Sequence, residues 1–219
     1  MATRRPPKPE QDEPNLIKAP YQKLSLTDRQ QREFLRCAID PVYFIKNYIK
    51  IKHPTRGAVP FALYDYQEQL VLTYAQHRQI ISMASRQLGK TECSAAFIIW
   101  FSIFQEDQNV LIAANKFKAA TEIMDRIRFM YEELPDWLRP GVTIWNVQKI
   151  QFDNRSKIES TTTTSDAGRG KSISLLYCLA GDTDVTVRNK HTGEIETISL
   201  KDLHSRLGQN KGGMSSPSS

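Results

Sequence analysis

Apolar and polar positions along the chain change period several times, and the changes divide it into elements. From Ser25, SLTDRQQREFLRCAIDPVYFIKNYIKI sets apolar residues near helical spacing behind Ser25 or Thr27 as N-cap, and Pro41 opens a second helical segment. FALYDYQEQLVLTYAQHR predicts a further helix, QIISMA is a short apolar run entering a Gly-Lys turn, and KTECSAAFIIWFSIF is again helical. NVLIAAN, residues 109–115, reads as a buried strand, and KFKAATEIMDRIRFMYEELPDWL carries Ile123, Ile127 and Met130 near helical spacing. Strands alternating with helices imply a parallel sheet covered on both faces. GVTIWNVQKIQFDNRSKIESTTTT predicts short strands around an Asp153-Asn154 turn, and SISLLY, residues 172–177, another buried strand.

Composition narrows the class. The chain has 219 residues, 40% hydrophobic and 25% charged, which excludes disorder throughout and allows one sizeable core or two small ones. The net charge of +6 lies in the middle, because the first fourteen residues set Arg4, Arg5 and Lys8 against Glu10, Asp12 and Glu13, and basic and acidic residues balance from Cys178 onward. A basic body fits a nucleic-acid partner, although proteins without one carry similar charge. Cys37, Cys93 and Cys178 form no CxxC pair, so a reducing compartment is the simpler expectation. No stretch resembles a signal peptide or is long enough to cross a bilayer. Prolines among charges in residues 1–14, and GQNKGGMSSPSS at 208–219, predict a disordered leader and a flexible tail.

The strongest chemical signal is ASRQLGKT, Ala84 to Thr91, a phosphate-loop pattern with Ala in place of its first glycine. Its setting between an apolar run and a helix is the one the mechanism requires. Backbone N–H groups would cradle phosphates at the helix N-terminus, Lys90 would reach the β and γ phosphates, and the Thr91 hydroxyl would coordinate Mg²⁺. Gly89 permits the close backbone approach. The competing explanation is a chance GKT turn at a helix start.

The variant SRQLGKT, with DPVYFIKNYIKI and LYDYQ ahead of it and GRGKSISLLY behind it, resembles the ATPase half of the large terminase subunit of tailed bacteriophages. The resemblance spans Asp40 to Tyr177. It implies an incomplete P-loop NTPase of α/β class with a helical lead-in at 15–75 and a core at 76–177, using ATP and Mg²⁺ to drive viral double-stranded DNA into a capsid. It further implies small-terminase and portal partners, no membrane, and the cytoplasm of an infected bacterial host. By motif, Tyr66 and Gln67 would contact the adenine, and Ser85, Arg86, Gln87, Leu88, Gly89, Lys90 and Thr91 would form the Walker A loop, with Arg86 acting on the γ-phosphate. Core packing for Tyr66 and a solvated charge for Arg86 are the bland alternatives.

In that family SISLLY corresponds to the strand ending in the Walker B acids, one holding Mg²⁺ and one activating water. Here the chain continues Cys178-Leu179-Ala180-Gly181-Asp182, and Asp182 lies past a glycine rather than at the strand end. Without those carboxylates this polypeptide alone should not hydrolyse ATP.

CLAGDT, followed by DVTVRN and, after a turn at HTG, EIETISLKDL, resembles the first block of inteins, self-excising elements with the β-rich Hint fold. The resemblance implies that the Cys178 thiol attacks the carbonyl of Tyr177, and that residues 178–207 are the N-fragment of an atypically split intein. Its partner would be a complementary C-fragment on another chain that carries the rest of the terminase. Val185 and Val187 alternate with polar residues as one strand, and Ile195, Ile198 and Leu200 supply a second strand and a turn. The fragment is too small to bury a core and is expected to stay largely disordered until its complement docks. His191 and His204 read as solvent-exposed rather than catalytic, and Cys37 and Cys93 as core residues. The readings in competition are a trans-splicing terminase precursor, a non-hydrolysing nucleotide-binding module, and a truncated motor with an inert cysteine at position 178.

Overall fold

The computed structural model describes residues 16–22, 25–82, 88–162, 172–179, 184–188, 195–199, 202 and 206. Helix α1 (Asp28–Ile39) starts where Thr27 Oγ1 accepts the Gln30 N–H at 3.3 Å and Gln30 Oε1 accepts the Thr27 N–H at 3.0 Å, a reciprocal capping box. Helix α2 (Pro41–Tyr48) has Pro at its first position and Asp40 Oδ1 accepting the Tyr43 N–H at 2.9 Å. The helical pattern expected to continue to Ile51 stops at Tyr48. Ile49 is extended, and the chain becomes a hairpin of β1 (Lys50–His53) and β2 (Gly57–Pro60), whose turn closes at Gly57 with φ of +71°. Pro54 cannot continue a helix and Gly57 supplies the left-handed conformation, so turn chemistry overrides the apolar spacing.

Helices α3 (Asp65–Gln76), α4 (Lys90–Phe104) and α5 (Phe117–Glu132) pack in sequence, α3 on α4 and α4 on α5, and α5 lies against strand β3 (Asn109–Ala114), of which only Asn109 is not buried. The sheet adds β4 (Val142–Trp145), β5 (Lys149–Phe152), β6 (Lys157–Thr162) and β7 (Leu175–Leu179), in the order β4-β5-β6-β3-β7. β3 is parallel to both β6 and β7, whereas β4, β5 and β6 are antiparallel. The sheet is therefore mixed, not parallel throughout as the alternation of elements implied. Residues 146–148 and 153–156 are too short for a crossover, and such links can only return the chain antiparallel.

Two further expectations need correction. Gln79–Ser82, the described part of the QIISMA run, belongs to no strand, and Ile81 is 37% exposed. A strand must find neighbours for its N–H and C=O groups, and the described sheet offers this segment none. SISLLY is not a buried strand: β7 lies at the end of the sheet and leaves Leu176 48% exposed.

Helix α4 is apolar on every side and has Cys93, Ala95, Ala96, Ile98 and Ile99 in the core, as expected for a helix packed all round. Its C-terminus is closed by the turn after β5. Asn154 Nδ2 donates to the carbonyls of Ser102 at 2.9 Å and Ile103 at 3.1 Å, and Ser156 Oγ donates to that of Gln105 at 2.6 Å. The Asp153-Asn154 turn thus satisfies carbonyls a helix end would leave bare. Residues 16–22 are a strap rather than a helix: Lys18 O accepts the Val142 N–H at 3.0 Å and Lys18 Nζ donates to Asp136 O at 2.9 Å. The leader at 1–14 and the tail at 208–219 lie outside the described residues.

Beyond β7, β8 (Asp184–Arg188) and β9 (Ile195–Ser199) pair antiparallel as a separate two-stranded sheet, with Val185 opposite Ile198. Both strands fall where the alternation set them. The ordered pair differs from the disorder expected there, because an antiparallel hairpin satisfies backbone groups without a larger core. Leu200 and His204 lie outside the described residues, as does His191.

Asn154→Ala should destabilise the fold by about 1–3 kcal/mol, since it leaves the α4 carbonyls without a donor. Urea denaturation followed by circular dichroism measures this, and an unchanged midpoint would contradict the capping role.

Candidate functional site: the loop before α4 and the strand that follows it

Gly89 caps α4 in the left-handed conformation, with φ of +69°, and its carbonyl accepts the Cys93 N–H at 3.0 Å. Lys90 and Thr91 begin the helix, so the backbone donors and positive dipole end of a 15-residue helix lie where the phosphate loop was expected. Leu88 through Thr91 are partly buried. Ser85, Arg86 and Gln87 lie outside the described residues.

The DYQ motif meets this loop directly. Gln67 is 3% exposed; its Oε1 accepts the Tyr64 N–H at 3.0 Å and its Nε2 donates to Leu88 O at 3.2 Å. Tyr66 donates its hydroxyl to the same carbonyl at 3.1 Å, so α3 holds the end of the loop through two bonds to one oxygen. Besides the strain of its φ, an added Cβ at position 89 would lie 2.6 Å from Gln67 Nε2, so the Gln67 amide would have to shift. Tyr64 and Tyr66 stack with centroids 5.8 Å apart and planes 8° from parallel, and both are exposed. Tyr66 is therefore a surface aromatic beside the loop, not a core residue.

One turn into α4 lies a group of hydroxyls that sequence reading missed. Ser94, 2% exposed, donates to Lys90 O at 3.0 Å and shares a 3.0 Å hydrogen bond with the Tyr74 hydroxyl. Tyr177 of β7 also bonds Ser94; burial raises its phenol pKa, opposed by the Ser94 bond and the nearby Arg126 charge. Ser94 thus joins α3, α4 and β7 just behind Lys90. A further tie is Arg126 Nε on Glu92 Oε1 at 2.6 Å, which binds α5 to the first turn of α4. A lone serine within an apolar helix was the only sequence signal, and it does not reveal its partners.

Tyr177 and Cys178, named as flanking the scissile bond, sit inside β7. The strand runs on to Leu179 in register with β3, Tyr177 opposite Ile112 and Cys178 opposite Ala113. Burial pushes the Cys178 thiol up to about 11, so in this packing it is neutral at physiological pH.

The oxygen donors do not complete a Mg²⁺ site. Thr91 offers one hydroxyl, β7 ends without a carboxylate, and no cluster of three or more His, Cys, Asp or Glu exists among the described residues. No hydrolytic step follows from these residues. Two clefts lie elsewhere: one of about 200 Å³ beside Asn109, Lys157, Glu159 and Ser172, and one of about 350 Å³ beside Lys18, Phe34 and Trp137. No described helix is long and apolar enough to cross a membrane.

A glycine-closed turn at the start of a 15-residue helix, packed against a mixed sheet, gives the described residues the architecture of a mixed α/β protein. Residues 81–178 match the family described as terminase large subunit, T4likevirus-type, N-terminal. The fold is similar to the crystal structure of the HK97 bacteriophage large terminase, with a TM-score of 0.53 and 16% identity, over 82% of this chain and 36% of that one. The chain therefore spans little more than a third of that terminase, and the structural likeness concerns the fold.

Gly89→Ala should cost about 1–3 kcal/mol from the left-handed backbone alone, with a further loss as Cβ displaces Gln67. Gln67→Ala in the same chain should recover the steric part and leave the backbone part. Chemical denaturation of the two single variants and the double variant measures this, and strict additivity would refute the contact.

The thiolate fraction of Cys178 should be roughly a hundredfold below that of an ordinary thiol near pH 7.5, rising until about pH 11. The sign is fixed: the folded state holds the thiol proton more tightly, so this group costs stability only as pH climbs above the unfolded value. Iodoacetamide labelling with peptide mapping at Cys178 over pH 7–10 measures the rate, and labelling at the speed of free cysteine would overturn the burial.

Proposed function

We propose that this chain is the N-terminal part of a phage large terminase, a DNA-packaging motor ATPase, made as a precursor that is joined to its remainder by protein trans-splicing. One observation carries the reading: the family match ends at Cys178, where the chain gives CLAGDT in place of the carboxylates a motor ATPase needs after that strand. The P-loop assignment of residues 84–91 is supported by the left-handed Gly89 at the start of α4 and by the two bonds from the DYQ motif to Leu88. In the joined product, Lys90 and Thr91 bind the phosphates of ATP and its Mg²⁺, Arg86 contacts the γ-phosphate, and Tyr66 and Gln67 border the adenine. The partners are viral double-stranded DNA, a small terminase and a portal, in the cytoplasm of an infected bacterium.

In the splicing step Cys178 Sγ attacks the Tyr177 carbonyl carbon. The amide C–N bond breaks, a thioester forms, and the thiol proton leaves with the new α-amine. The half-buried, neutral thiol of the free chain requires that the end of β7 leave β3 before this happens, and docking of the complementary fragment on residues 178–207 is the event that supplies it. The β8–β9 hairpin supports a β-rich fragment there. A second reading is favoured by the same strand: β7 continues to Leu179 paired with Ala114, as an ordinary sheet strand closed by an inert cysteine would.

The test mixes this chain with a second one that carries the later Hint motifs and ends His-Asn before Cys, Ser or Thr, and reads intact mass. Loss of everything from Cys178 onward in a ligated product is expected, and Cys178→Ala should abolish it. Unchanged masses with a folded complement would leave only the inert-cysteine reading. Lys90→Ala should splice normally and yield a product without ATPase activity.

A further inference from the structure

The turn between β3 and α5 carries Lys116, Phe117 and Lys118, all exposed, with Phe117 48% exposed. β3 is the central strand of the parallel trio, and residues 115–118 follow its carboxyl end, on the side of an α/β sheet where ligands collect. Both α4 and α5 run antiparallel to β3, so they are parallel to each other. Glu92, near the start of α4, meets Arg126, well along α5. The seven-residue offset puts the start of α5 roughly 10 Å beyond that of α4. The basic turn therefore projects past the phosphate-loop end of the molecule.

Its composition is unfavourable for the free chain. Lysines crowd the positive end of the α5 dipole, and the first turn has neither an acidic residue nor a side-chain cap. Neither lysine forms an ion pair among the described residues. An exposed phenyl ring between them adds apolar surface in water. Several other basic side chains are neutralised, as Lys46 is by Glu68, Lys50 by Glu133 and Arg126 by Glu92.

We propose that Lys116 and Lys118 are phosphate contacts for duplex DNA, with Phe117 seated against the deoxyribose between them. This rests on the motor reading and names the place where DNA meets the ATPase half. Charge complementarity selects the partner: two unpaired ammonium groups beside exposed helix N–H donors fit a run of phosphates, which fixes position without reading sequence. The turn and the phosphate loop belong to the two helices that Glu92 and Arg126 tie together, so DNA bound at one reaches the other through a single ion pair.

The test is fluorescence anisotropy of the full chain with a labelled 30-base-pair duplex and with one of its strands, across 50–300 mM NaCl. Lys116→Ala and Lys118→Ala should each weaken duplex binding roughly tenfold at 50 mM salt and together lower the log–log salt slope by about 1.8. Phe117→Ala should weaken duplex binding while leaving that slope unchanged. An unchanged slope in the double variant, or no binding by the parent chain, overturns the proposal. Loss confined to the single strand also overturns it and assigns the turn to base stacking. Lys52→Ala, on β1 away from the turn, should leave duplex affinity intact, and unchanged binding of a fluorescent ATP analogue by the Lys116/Lys118 double variant, compared with the parent, would keep failure of the DNA contact distinct from failure of the motor reading.

Discussion

Everything in this molecule depends on β3 being paired on both sides and covered on both faces. Val110 through Ala114 are buried, β6 and β7 run parallel to them, α5 packs against them, and α4 packs on α5. A parallel ladder of that kind is stable only when no backbone group faces apolar surroundings unpaired. It also fixes direction: because β6, β3 and β7 point the same way, the residues that leave their carboxyl ends share one side of the molecule. The basic turn after β3, the junction at the end of β7 and the start of α4 are placed together by that constraint, although they are far apart in sequence.

The same constraint explains where order stops. β7 has β3 on one side and no described strand on the other, and Leu176 is left half exposed. Gln79–Ser82 has the apolar character of a central strand and no strand beside it. The start of α4 is held by helices rather than by the sheet edge. Gln67 and Tyr66 hold Leu88 from α3, and Ser94 bonds the Lys90 carbonyl from within α4, so the geometry at the start of α4 is set by helices.

How much of this could be read from the chain follows from the range of the interactions. Thr27, Pro41 and the stripe of Ile123, Ile127 and Met130 act within a turn or two, and each sits where the pattern put it. The β1–β2 hairpin was missed because Ile49 and Ile51 suit a helix until Pro54 and Gly57 are weighed. The antiparallel half of the sheet follows from connection length, a cue present in residues 146–148 and 153–156 but outweighed by the alternation upstream. At the site, Gly89, Lys90 and Thr91 were legible because the loop motif is contiguous. The contacts of Gln67 with Leu88, and of Ser94 with Tyr74 and Tyr177, join residues some twenty to eighty positions apart, and no local pattern encodes them.

The junction shows two requirements that one conformation cannot meet. As part of the sheet, Tyr177 needs its hydroxyl on Ser94 and Cys178 needs its place opposite Ala113, which bury the thiol and keep it protonated. The proposed splicing would need the same bond to have a reachable carbonyl and a thiolate. Removing Cys178 from its strand would cost its ladder pairing but leave Tyr177 anchored by Ser94, so the upstream side of the bond can stay fixed while the downstream side moves. Under the proposed splicing, β7 would have to stay anchored through Tyr177 while Cys178 and Leu179 give up their pairing with Ala113 and Ala114.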